Sequence, residues 1–230
     1  MRLDFLIANG TGLSRKDARR ALMASRVTLD GVVCRKAATQ LSGEEDVRLD
    51  GEPVALTGER YLMLHKPLDV VSATRDSEHT TVLDLLPPDL RRNLHVAGRL
   101  DRDTTGLLLL TTDGQWSHRV TSPRSRCNKT YRVDLAEAWT EDMLASLRNG
   151  VTLKGEPKPT APAQVEVLGD RQLRLIISEG RYHQVKRMLA AVGNHVDALH
   201  REAIGAVRLD PVLAPGDYRA LTRKEIDSFG

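Results

Sequence analysis

A chain of 230 residues with 40% hydrophobic content has room for one large domain, or for a medium and a small one. The formal charge of +3 is small, but the pI near 9.0 points to a polyanionic partner. Aromatic residues make up only 3%, which excludes a broad base-stacking surface. Cys34 and Cys127 stand far apart without metal-ligand spacing, which excludes a structural zinc site and fits a reducing cytosol. No apolar run approaches the length of a membrane span, so a cytoplasmic chain with no membrane partner is expected.

Leu3, Leu6 and Ile7 recur at helical spacing, and Asn9-Gly10-Thr11-Gly12 breaks that helix. Ser14, with Asp17 three residues on, reads as the cap of a second helix that turns Ala18, Ala21 and Leu22 inward. Arg15 and Arg19, and likewise Lys16 and Arg20, lie four residues apart, and such like-charge pairs repel unless an anion sits beside them. Val27-Thr28-Leu29, Asp30-Gly31 and Val32-Val33 form a strong hairpin signal. In this stretch Arg15, Lys16, Arg19, Arg20, Arg26, Arg35 and Lys36 face only Asp17 and Asp30, which favours a phosphate-binding face over a merely solvated one. Residues 1–50 therefore read as a small separate module, and the Gly- and Pro-punctuated residues 51–59 as a linker.

Strands are expected at Tyr61–Leu64 and Val70–Ala73, and one or two helical turns over Thr81–Leu86, stopped by Pro87-Pro88. A helix starts near Asp113. Strand Lys129–Val133 and a Thr140-capped helix through Leu147 follow. Gln164–Leu168 and Leu173–Ile177 read as paired strands. A helix from His183 to Val192 turns Val185, Met188, Leu189 and Val192 inward and leaves Lys186 at the margin of its apolar face. Val196–Leu199 and Ala206–Leu209 are strands, and Thr222–Ser228 is a short closing helix. Without regular βαβ alternation, residues 60–230 fit an α+β domain with a mixed, mainly antiparallel sheet.

The chemistry concentrates in Gly98-Arg99-Leu100-Asp101-Arg102-Asp103-Thr104-Thr105-Gly106, directly before Leu107-Leu108-Leu109-Leu110. The leucines suit a strand buried on both faces, a rigid backing for a reactive loop. No phosphate-cradling glycine loop and no Gly-x-Ser-x-Gly elbow exists, and the seven His never pair on a helix, so neither cofactor nor metal is expected. Asp101 and Asp103 sit too close in sequence to serve opposite faces of one sugar as a glycosidase pair. Asp101 reads as the acting group and Asp103 as a turn-former. Between Gly114 and Val133, Arg119, Arg124, Arg126, Lys129 and Arg132 form a second basic patch without an acid.

These motifs carry a resemblance. Residues 3–31, with Ser14-Arg15-Lys16-x-Ala18-Arg19-Arg20 and Arg26-Val27-Thr28-Leu29-Asp30-Gly31, are similar to an S4-type RNA-binding module. The Gly98–Leu108 stretch, Lys129-x-Tyr131 and Gly180-Arg181-Tyr182-His183-Gln184-Val185-Lys186-Arg187-Met188 resemble, in order, the three motifs of the RsuA/RluA family of pseudouridine synthases. With the front module, the chain resembles that family's branch acting on 16S ribosomal RNA. The family often has Asn-Lys-Pro-x-Gly where this chain has His65-Lys66-Pro67-Leu68-Asp69, so no role is assigned to His65 or Asp69.

The resemblance implies cofactor-free isomerisation of a uridine to pseudouridine in 16S ribosomal RNA, or in a partly assembled small subunit, by a monomer that does not act on DNA. It implies Asp101 as the essential carboxylate, attacking C1′ of the ribose or removing the C2′ proton. Lys186 would be its ion-pair partner. Tyr131 would stack on the uracil, and Arg99 would enter the space left by the flipped base. Arg181, His183 and Arg187 join Arg124, Arg126 and Lys129 as expected RNA contacts. The alternatives are a non-catalytic RNA-binding assembly factor, an RNA N-glycosylase, and a synthase of the same family with another ribosomal RNA target.

Overall fold

The computed structural model describes residues 1–42, 45–54, 58–122, 125 and 127–230. The chain divides into two compact units, Met1–Glu59 and Arg60–Gly230. Among the described residues no helix is long and apolar enough to cross a membrane.

In the first unit, helix α1 (Leu3–Thr11) ends at Gly12, whose left-handed backbone (φ 77°) returns its N–H to the Ala8 carbonyl. Ser14 caps α2 (Arg15–Met23) by accepting the Asp17 N–H at 3.0 Å. Strands β1 (Val27–Leu29), β2 (Val32–Val33), β3 (Val47–Leu49) and β4 (Glu52–Pro53) form an antiparallel sheet ordered β2-β1-β3-β4. Both hairpins turn on an Asp-Gly pair with positive φ at each residue: Asp30-Gly31 and Asp50-Gly51. The second turn alters the expected boundary. Residues 51–54 are not linker: β4 pairs with β3, and Val54 is buried in the first unit's core. Residues 55–57 lie outside the described residues.

The anion that the repelling arginines require comes from within the chain. Asp4 is fully buried, with Arg2 Nε at 3.0 Å, Arg15 Nη2 at 3.1 Å and Arg19 Nε at 3.0 Å. Burial pushes its carboxyl upward, but the bonds from the three arginines outweigh burial and hold it far below the usual carboxylate range. Asp4→Ala should leave three guanidinium groups facing one another. The arginines are about half exposed, so the expected loss, about 2 kcal/mol, falls below that of a fully buried pair. An earlier helical melting step seen by circular dichroism would show it, and an unchanged melt would refute it.

The second unit contains β5 (Tyr61–Lys66), β6 (His95–Ala97), β7 (Thr104–Thr111), α3 (Gly114–Thr121), β8 (Lys129–Leu135), α4 (Glu141–Asn149), β9 (Gln164–Gly169), β10 (Gln172–Ile177), α5 (Gln184–Ala191), β11 (Val196–Ile204), β12 (Val207–Arg208), β13 (Tyr218–Ala220) and α6 (Arg223–Asp227). Its sheet runs β13-β5-β7-β11-β8-β10-β9, with β6 added to β7 and β12 to β11. β7 and β11 are parallel, and the other strand pairings among the described residues are antiparallel. The α+β class with a mixed, mainly antiparallel sheet is as expected.

β7 is the strand buried on both faces. Leu108 and Leu110 pack into one core with Tyr131, Met188 and Leu189. Leu107 and Leu109 pack into the other with Met63, Trp116 and Ile204. Thr104, Thr105 and Gly106 already belong to this strand, rather than to the turn before it. Gly106 (φ 108°) has no room for a side chain: a Cβ there would lie 2.3 Å from the Arg201 carbonyl oxygen across the parallel pair.

Two expected elements differ. Residues 70–73 are not a strand but make one bridge, Val71 to Thr81, because Ser72 turns to Leu100. Residues 81–86 form turns rather than a helix, held by Asp84 accepting the Thr81 N–H at 2.9 Å and hydroxyl at 2.8 Å.

Candidate active site

The Gly98–Asp103 loop leads into β7, and the carbonyls of Gly98, Arg99, Leu100 and Arg102 are held by side chains from outside it. Arg201, 2% exposed on β11, donates from Nε to the Leu107 carbonyl at 2.8 Å, and from its Nη atoms to the Gly98 carbonyl at 2.7 Å and the Arg99 carbonyl at 3.4 Å. Ser72 clasps Leu100, donating to its carbonyl at 2.8 Å and accepting its N–H at 3.1 Å. Lys66, fully buried at the end of β5, donates to the carbonyls of Pro67 (2.9 Å), Arg102 (3.3 Å) and Thr104 (2.8 Å). Neither buried cation has a carboxylate within ion-pair distance among the described residues. Their hydrogen bonds go to backbone, and so set the path of the loop.

That path aims Asp101 at α5. Lys186 Nζ lies 3.0 Å from Asp101 Oδ2, and His183 Nε2 lies 3.3 Å from Oδ1. Lys186 also reaches Asp103 Oδ1 at 2.5 Å. Asp103 is therefore a second anion on the same lysine, not only a turn-former. Burial would lower the Lys186 ammonium, but the hydrogen bonds to Asp103 and Asp101 outweigh it and raise it above the ordinary lysine value. The same bond, above all, lowers the Asp103 carboxyl.

Asp101 opens onto a cleft of about 660 Å³, also lined by Arg99, Lys129, Tyr131, Tyr182 and Lys186. That volume suits one nucleoside withdrawn from a stack. Tyr131 belongs to the larger core and lines the cleft as well, so its position is both structural and accessible. Arg99 is exposed, and its side chain makes no hydrogen bond or ion pair among the described residues. It bridges neither Asp103 nor Asp113. Asp113 instead caps α3.

Other expected RNA contacts are placed differently. Arg181 and Arg187 meet on Glu156, at 2.6 and 2.5 Å, and Arg181 also donates to the Lys158 and Pro159 carbonyls. Both are committed to fixing the segment before α5 and do not stand free for phosphate. His183, partly exposed, turns its Nε2 to Asp101. Lys129 lines the cleft with its ammonium lowered by burial. Arg124 and Arg126 lie outside the described residues. Arg15, Lys16, Arg19, Arg20, Arg26 and Arg35 are exposed on the first unit.

This arrangement is similar to that of known proteins. The model of the family described as RNA pseudouridylate synthase matches residues 60–191, more than half of the chain. The chain belongs to the RNA pseudouridylate synthase family. It is 54% identical to the ribosomal small subunit pseudouridine synthase A of Escherichia coli K12, over 99% of both chains. It is 53% identical to the protein of that name from Yersinia pestis, over 100% of this chain and 98% of the other. A solved structure titled as a pseudouridylate synthase superposes with a TM-score of 0.74 at 45% identity, over 100% of both chains.

In this pseudouridylate synthase, Lys66 and Arg201 are the residues that motif reading missed. The signal for Lys66 was a charge closing an apolar strand. For Arg201 it was an arginine in strand alternation with the buried Leu199. Burial pulls the Lys66 ammonium from 10.5 down to about 8, against the attraction of Asp103, Asp101 and Asp69. The folded chain thus releases this proton at a lower pH than the unfolded chain does. Between those two values the unfolded chain binds more protons, so this group makes stability rise with pH, and below about 8 its penalty is constant. Denaturant unfolding across that window should show the rise in the wild type and a flatter profile in Lys66→Met. Identical slopes would contradict it.

Proposed function

We propose that this chain converts a uridine of 16S ribosomal RNA to pseudouridine, with Asp101 as the acting carboxylate. The observation that carries the reading is Asp101 held between Lys186 and His183 in a nucleoside-sized cleft beside Tyr131 and Arg99. The reaction breaks the N1–C1′ bond, turns the uracil, joins C5 to C1′, and releases the C5 proton while N1 takes one up. Asp101 acts on the ribose by attack at C1′ or by removal of the C2′ proton, and both routes need the same carboxylate in the same place. Lys186 balances its charge as the substrate excludes water. Tyr131 stacks on the uracil with its hydroxyl near C5, and the free Arg99 fills the gap left in the RNA.

The first unit serves as an S4-type RNA-binding module spanning residues 1–54. Lys16, Arg35 and Lys36 are exposed and make no ion pair among the described residues, which supports a phosphate-facing role. The chain works as a cytoplasmic monomer, with Cys34 and Cys127 as free thiols and no cofactor.

Small-subunit RNA carrying tritium at uridine C5 tests the activity, because forming the new bond releases that hydrogen. Release approaching one equivalent per RNA is expected, and parallel arms with naked RNA and partly assembled subunits identify the substrate. No release from either would reject the reading.

A further inference from the structure

Tyr182 is 76% exposed, although aromatic residues are scarce and most are packed inside. Trp116 sits between Tyr61 and Phe229 in edge-to-face contacts, and the Trp139 ring N–H bonds the Gly169 carbonyl. Tyr182 instead stacks on His183, with ring centroids 3.8 Å apart and planes inclined by 21°. Both residues of this two-ring stack line the cleft that holds Asp101.

The stack is rigidly mounted. His183 adopts a left-handed backbone (φ 47°), a conformation rare for a non-glycine residue. Its Nε2 rests on Asp101 Oδ1. Arg187 donates to the Tyr182 carbonyl at 3.2 Å, and the Arg181 N–H bonds Gln184 Oε1 at 2.8 Å. Ion pairs from Arg181 and Arg187 to Glu156 lock the flanks. An apolar ring held out in water by so many constraints is preorganised to receive a flat partner.

We propose that the Tyr182–His183 stack is a subsite for one unpaired nucleobase adjacent to the target uridine. The inference rests on the synthase reading and extends it from the reacting nucleotide to its neighbour. Every base has a π-face, so the platform accepts any of the four. Because the lower ring also touches Asp101, seating the neighbouring base secures His183, a positioning residue, against the acting carboxylate.

The test compares Tyr182→Ala, Tyr182→Phe and Tyr182→Trp on small-subunit RNA, by RNA affinity and by single-turnover pseudouridine formation. Tyr182→Ala should weaken binding and raise KM about tenfold, whereas Phe and Trp should restore both, because the ring and not the hydroxyl does the stacking. RNAs with an abasic residue at each nucleotide flanking the modified uridine locate the partner. At one position the abasic RNA should lose the same factor and make Tyr182→Ala silent. Unchanged affinity in Tyr182→Ala, failure of Phe to rescue, or an equal loss at every flanking position would overturn the subsite. Affinity is read without turnover, so a chain that binds RNA but forms no pseudouridine rejects the activity while the stack is still decided.

Discussion

Asp101→Asn should fold, bind RNA and form pseudouridine at least about 10³-fold more slowly than the wild type. The change keeps the shape of the side chain and removes its ability to attack carbon or accept a proton. Folding is expected to survive because Lys186 keeps Asp103 as its counter-ion, at 2.5 Å. The cation is therefore not stranded when Asp101 loses its charge. Asp103→Asn is the matched control. Its side chain is 71% exposed and, unlike Asp101, it is not among the residues lining the cleft, so its rate should fall by no more than about tenfold. Single-turnover rates with filter-binding affinities separate the two. Equal rates for Asp101→Asn and Asp103→Asn would remove Asp101 from the chemistry.

Arg201→Met should cost both stability and rate. The buried guanidinium holds the carbonyls of Gly98, Arg99 and Leu107 at once. Stranding buried carbonyls costs about 1–3 kcal/mol each, offset in part because burying the guanidinium is itself expensive. A net loss of about 3 kcal/mol, or a fall in Tm of roughly 10 °C for a chain of this size, is expected. The rate should fall further than stability alone predicts, because a shift of about 1 Å in Gly98–Arg99 re-aims Asp101, and such misplacement costs about 10²-fold. Arg201→Lys should recover little, since one ammonium does not span the three carbonyls as the guanidinium fork does. Calorimetry with single-turnover rates at a temperature where the variant is folded tests both parts. Full activity in a folded Arg201→Met would show that the clamp does not position the loop.

The elements that local rules govern were legible in the sequence. The α2 cap at Ser14, the Asp30-Gly31 hairpin, the doubly buried leucines of β7 and the inward face of α5 all follow from spacing and side-chain type. The Asp50-Gly51 turn carried the same signal as Asp30-Gly31 and was obscured by the Gly- and Pro-rich residues after it. What local rules did not reveal is where long polar side chains end. Nothing local pairs Arg181 and Arg187 with Glu156, 25 or more residues away in sequence. Lys66 meets carbonyls 36 and 38 residues on, and Arg201 meets carbonyls about a hundred residues back. These partners are set by strand order, above all by the parallel β7–β11 pair. The central loop looked self-contained. It is instead a backbone path held by two cations, one from the strand on either side of β7.

The most direct measurement is nucleotide-resolution mapping of 16S ribosomal RNA, naked and in partly assembled subunits, after incubation with the wild-type chain. The account predicts pseudouridine at a single uridine, in near-stoichiometric yield, with no free uracil. An abasic site with released uracil, or RNA that is bound and left unmodified in both forms, would contradict it.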